Sequence, residues 1–116
     1  LIYNLKKKIL NDEYIFLNGK ENGDLVHITH TDDCAALINY FVKKKITGTY
    51  DVAPSRRVSI QKISEIIAKK FNKKLKIKRN KKIMPKITSP DTKELKRIYD
   101  LKNLRSPIVG LKDAIN

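Results

Sequence analysis

Apolar residues recur at helical spacing where the chain opens, at Leu1, Leu5, Ile9 and Leu10, and predict a helix that stops at Asn11-Asp12-Glu13. YIFL at 14–17 reads as a short strand, and NGKENG at 18–23 as a turn-rich loop. LVHITH at 25–30 then alternates with period two, placing Leu25, His27 and Thr29 on one face and Val26, Ile28 and His30 on the other. Past Thr31, Asp32 and Asp33 the period changes. Ala35, Leu37, Ile38, Phe41 and Val42 form a stripe at helical spacing. An aspartate at that junction accepts a hydrogen bond from a free first-turn amide and suits the positive helix end, so Asp32 or Asp33 is expected to cap a helix beginning near Cys34.

TYDVA at 49–53 is β-branched and aromatic and predicts a second strand, broken by PSRR. Ser59 is a good N-cap for a helix over 60–71, whose Ile60, Ile63, Ile66, Ile67 and Phe71 make the strongest amphipathic pattern in the chain. LKIKR at 75–79 alternates as a strand with lysines on one face. NKKIMPKITSP has two prolines and no period, and is expected to run extended on the surface. Asp91 with Glu94 fits a capping box for a short helix through Leu95, Ile98 and Tyr99. Pro107 and Gly110 are read as punctuating a loop before a last helical turn at 111–115. The sum is an α/β chain of short strands with four or five helices, without internal repeats.

Length and composition narrow this picture. At 116 residues the chain is one domain's worth of sequence with a modest core. No apolar run reaches the ~20 residues needed to cross a bilayer, and no signal peptide opens the chain, so a soluble, cytoplasmic protein is expected. A net charge of +14 admits nucleic acid, membrane surfaces or phosphorylated substrates as partners. The excess is mostly lysine, 21 Lys against 5 Arg, in short runs within or just after predicted helices, where a solvated lysine face is ordinary. The charge alone therefore does not favour nucleic acid.

His27, His30, Asp32, Asp33 and Cys34 crowd into eight residues and raise the question of chemistry. On a strand, His27 and His30 point to opposite faces and cannot share a metal, so no metal site is expected. Cys34 at a helix entry has the helix field in its favour as a nucleophile, but on a helix that must pack it reads better as a structural thiol. Adjacent aspartates point different ways, which argues against paired acid–base work. The four glycines are isolated, so no phosphate-cradling turn is present. Tyr3 is followed by Lys7, but on a lysine-rich helix, and no catalytic residue is assigned.

The order of these elements resembles the C-terminal part of extended short-chain dehydrogenases/reductases, the NAD-dependent epimerase/dehydratase family acting on nucleotide sugars. ITHTDDCAALINYFV is similar to the family's "aromatic, valine, histidine, valine, aspartate, aspartate" signature and following helix. GTYDVAPSRRVSIQKISEIIAKKF resembles its "glycine, x, tyrosine, asparagine, valine, glycine" strand and "valine, serine, isoleucine" helix start. LIYNLKKKILNDEYIFLNG, SPDTKELKRIYDL and GLKDAI resemble its flanking and closing elements.

The resemblance implies a partial domain over 1–116, the substrate-side C-terminal region of an NAD(P)-dependent enzyme. It makes Asp32 and Asp33 a structural cap at a domain junction. The family's glycine-rich cofactor turn and tyrosine-x-x-x-lysine pair belong to an N-terminal Rossmann domain, so NAD or NADP is implied for the intact family and no cofactor for this chain alone. The nucleotide-sugar substrate, and the missing Rossmann domain or a partner subunit, are the implied partners. The chain begins on leucine inside a helix, which suggests a cut chain, silent by itself.

Three positions depart from the pattern. Val26 stands where many members have an arginine that meets the nucleotide phosphates, His27 replaces a common aspartate, and Asp51 a usual asparagine; the arginine-x-glycine-aspartate element is missing from KKIMPKITSPD. Lys20, Arg79, Lys81 and Lys82 are the candidates to supply charge to a diphosphate, with ordinary surface cations as the alternative. A stand-alone basic module for nucleic acid or another polyanion is the competing function. Single-strand readers set stacking aromatics on a basic sheet face, and LKIKR has lysines without aromatics.

Overall fold

The computed structural model describes residues 1–115. Helix α1 (Ile2–Leu10) buries Leu5 and Ile9 and leads into strand β1 (Ile15–Asn18), whose Ile15 and Leu17 face inward at 1% exposure each. β1 pairs in parallel with β4 (Ile77–Asn80), far along the chain, in the register Ile15 to Ile77 and Leu17 to Arg79. The crossover that a parallel pair requires contains α3 (Ile60–Lys70). Ser59 Oγ accepts from the Lys62 amide at 3.1 Å, the cap its sequence predicts. Ile63 and Ile67 of α3 are fully buried against α1 and the sheet, each contributing about 2 kcal/mol by removal from water.

A second small sheet pairs β2 (Leu25–Val26) antiparallel with β3 (Val58–Ser59). On its other edge Leu25 bridges to Ile87, with Leu25 N–H donating to Lys86 O at 2.9 Å and Thr88 N–H to Leu25 O at 3.0 Å. Past a turn at 81–83, the proline-bearing stretch over 84–90 is extended, as its composition predicts, and is stitched to β2. The alternating run over 25–30 forms a ladder only at its first two residues.

Helix α2 (Thr31–Lys44) packs on a separate core. Leu37 meets Leu95 of α4 (Lys93–Ile98), Leu101 of a 3-10 turn (Leu101–Asn103) and Leu104, with Phe41, Tyr50, Val52 and Tyr99 around them. Helix α5 (Pro107–Ala114) returns to the first core through Leu111. Two cores side by side make a flat molecule of 47 × 32 × 18 Å with a radius of gyration of 16.2 Å, against about 13 Å for a compact domain of this length.

Four local expectations are corrected. Residues 49–53 are not a strand: no strand of the described chain lies beside them to take their hydrogen bonds, so Tyr50 and Val52 serve instead as packing against α2. The cap of α2 is neither Asp32 nor Asp33 but His30, whose Nδ1 accepts from the Asp32 amide at 3.1 Å; the helix starts at Thr31, too early for either aspartate to be the cap. Asp91 and Glu94 form no capping box. Thr92 precedes α4 without a side-chain bond, Asp91 accepts from the Lys93 amide at 3.1 Å, and Glu94 turns to Arg97 at 3.4 Å. Pro107 opens α5 rather than a loop, because a first-turn proline forfeits no helical hydrogen bond and Ser106 caps the Val109 amide. Among the described residues no helix is long and apolar enough to cross a membrane.

Candidate functional site

The strand-to-helix junction is the first candidate, and its geometry is structural. Asp33, 8% exposed, accepts at Oδ2 from the Arg105 backbone amide and at Oδ1 from the Arg105 guanidinium, both at 2.7 Å. Arg105 Nε reaches Asp113 Oδ2 at 3.1 Å, so one guanidinium joins α2 to α5. Arg105 Nη1 also lies 3.2 Å from His30 Nδ1. Both neighbours of that nitrogen can only donate, so Nδ1 is the ring's acceptor and its hydrogen sits on Nε2. Asp32 remains in solvent beside the positive helix end, its carboxylate 3.9 Å from His30. Cys34 is half-buried.

His27 lies elsewhere. Its ring Nδ1 is 2.8 Å from Thr88 Oγ1, which also accepts from the His27 amide at 3.1 Å. Arg57 donates from Nε to Thr88 O at 2.9 Å and from Nη2 to Ser89 Oγ at 3.2 Å. Burial, and then the Arg57 charge, lower the His27 pKa below its ordinary value of 6.5. His27, Ser55, Arg56 and Arg57 line an open notch of about 560 Å³ whose cations suit an anion. His27 and His30 are thus occupied by different partners, and among the described residues no three metal-binding side chains gather.

The four candidate cations do not converge. Arg79, Lys81 and Lys82 line one open depression of about 490 Å³ beside Phe16, Lys78 and Asn80, but Lys20 is not on its wall. Arg79 is already engaged, donating from Nε to Glu21 O at 3.0 Å and from Nη2 to Gln61 Oε1 at 2.8 Å, which ties the loop after β1 to α3. Sequence reasoning missed Arg105 and Arg57 as organising residues. Arg105 meets a carboxylate 72 positions away, a partner that no local spacing signals.

No protein-family profile matches the chain, and no curated protein sequence matches it. Solved structures do. Over 97% of this chain, dTDP-4-dehydrorhamnose reductase from Bacillus anthracis str. Ames, in complex with NADP, superposes with a TM-score of 0.69 at 17% identity. UDP-glucose 4-epimerase from Thermus thermophilus, complexed with NAD, gives 0.59 at 9% identity over 97% of the chain. MoeE5 in complex with UDP-glucose and NAD gives 0.62 at 13% over 99%. The chain spans only 41%, 40% and 42% of those three, about two-fifths of each. Identities this low speak for architecture, and the chain accordingly has the α/β fold of about two-fifths of each of these three structures.

Proposed function

We propose that this chain is the substrate-side portion of a cytoplasmic NAD(P)-dependent nucleotide-sugar epimerase, dehydratase or reductase, and that it is catalytically silent without a cofactor-binding domain. The observation that carries this reading is the coverage: nearly all of this chain superposes on about two-fifths of each enzyme. The uncovered apolar residues of α2 support it, since Ile38 is 65% and Val42 71% exposed on the side of the helix turned from its core. In the same reading Lys81 and Lys82, which share one depression, offer charge to the substrate's diphosphate, and Arg79 holds the loop after β1 in place.

The cofactor arm of this reading has a physical basis. A pyrophosphate needs free backbone amides at a helix N-terminus and a turn close enough that only glycine fits. Here the first turns of α2, α3 and α5 are approached through His30, Ser59 and Ser106, whose side chains already accept from those amides. Calorimetric titration of the purified chain with NAD and with NADP is the test. No saturable heat is expected from the chain alone, and binding is expected after fusion to the cofactor half of one of the matched enzymes. Micromolar binding by the chain alone would overturn the reading.

A further inference from the structure

Tyr14 and Phe16 stand two residues apart at β1, and strand alternation turns both rings to the side opposite Ile15 and Leu17. The inner pair is sealed, whereas Tyr14 keeps 45% and Phe16 65% of its surface in solvent. Parallel pairing then sets Phe16 beside Lys78 of β4. Lys78 Nζ lies 4.3 Å from the centre of the Tyr14 ring and Lys76 Nζ 6.0 Å, and Lys8 Nζ from α1 lies 5.6 Å from the centre of Phe16. The lysines that LKIKR carries without aromatics thus acquire two rings from a strand some sixty positions earlier.

We propose that this face binds a single-stranded polynucleotide, with bases stacked on Tyr14 and Phe16 and phosphates met by Lys8, Lys76 and Lys78. Charge complementarity and ring exposure decide the occupant together. A duplex keeps its bases inside its own stack and would leave both rings idle. An apolar protein partner would bury three ammonium groups without counter-charges, a costly arrangement. The lysine–ring contacts present in the free protein are no obstacle, because an exposed cation–π contact is weaker than a base stacked on an aromatic side chain. Rings about 7 Å apart, some twice the ~3.4 Å rise of stacked nucleotides, accept unstacked neighbours or alternate bases. Such a face has little power to read sequence, so its binding is indifferent to base order and weakens with salt.

Fluorescence anisotropy of a labelled thymidine oligonucleotide of about 12 nucleotides tests this, with a duplex of equal length and heparin as competitors. The single strand is expected to bind more tightly than the duplex. Phe16→Leu, which keeps an apolar side chain but removes the π face, is expected to weaken single-strand binding about tenfold and leave heparin binding unchanged. Lys78→Gln should flatten the dependence of log affinity on log salt by about one unit. Circular dichroism confirms that each variant is folded, and Phe16→Tyr, expected to restore binding, serves if Phe16→Leu does not fold. No binding by the native chain would overturn the proposal. So would equal loss of oligonucleotide and heparin in Phe16→Leu, or binding only to anionic lipid vesicles. Phe16 and Lys78 border the depression that also holds Lys81 and Lys82, so the same variants are titrated with UDP-glucose: loss of oligonucleotide binding alone supports the stacking face, and equal loss of both ligands would overturn it.

Discussion

Asp32 and Asp33 are neighbours of the same charge with different surroundings. The side chain of Asp32 is 76% exposed and gains only the helix field, whereas Asp33 is buried and receives two donors from Arg105. Asp33→Ala is expected to cost about 2 kcal/mol in urea unfolding, because it leaves the half-buried guanidinium and a backbone amide without their acceptor. Asp32→Ala should change little, and equal losses at the two positions would contradict the assignment. His27 belongs to the same scale. Its pKa is lower in the fold than in the unfolded chain, so the unfolded state takes up the proton first as pH falls. The stability held by the neutral ring is complete above 6.5 and is lost as pH drops below that value toward the folded pKa. Between about pH 7.5 and about pH 5.5 the native Tm should therefore fall more than that of His27→Asn, as scanning calorimetry would register.

At the scale of elements, the chain's periodicity foretells α1, α3, β1 and β4; α1, α3 and β1 bury apolar residues in one core, and β4 packs Ile77 against it. The expectation over 49–53 had equally good β-formers and no ladder to join, which is why propensity misled there. The loop after β1 depends on a glycine for a tertiary reason. Gly19 has φ +82°, and a Cβ at that position would stand 2.5 Å from Pro85 Cγ and 2.8 Å from Cδ in the extended segment. Gly19→Ala is expected to lose about 2 kcal/mol, from the left-handed backbone and the clash together. Adding Pro85→Ala should recover the clash and not the backbone strain, so a double-mutant cycle in urea separates the two. Strict additivity would rule the contact out.

The whole molecule is flat, with two cores and an uncovered strip along α2. Ile38 and Val42 are more exposed than Phe41, which packs, so the helix is amphipathic toward its own core and apolar on part of its outer side as well. Such a strip left in contact with water promotes association. Sedimentation velocity should find the native chain self-associating at raised concentration, and Ile38→Lys with Val42→Lys should render it monomeric while changing unfolding free energy by less than about 1 kcal/mol. An unchanged sedimentation profile would show that the strip is not what associates.

What the sequence determined by itself was the set of local decisions. Ser59 caps α3 and the periods of α1 and α3 build the main core, because each depends on residues within a turn or two of one another. The order of elements was also legible, and with it the likeness in fold to the three matched structures. The tertiary structure decided what depends on distant partners. His30 is the cap because α2 begins ahead of both aspartates, and Arg105 meets Asp33 from 72 positions away and draws His30 and Asp113 to the same point. Tyr14 and Phe16 met the lysines of β4 because parallel pairing joins strands that a crossover must separate in sequence. Residues 49–53 remained irregular for the complementary reason: a strand is a property of two segments, and the alternation of one cannot supply the other.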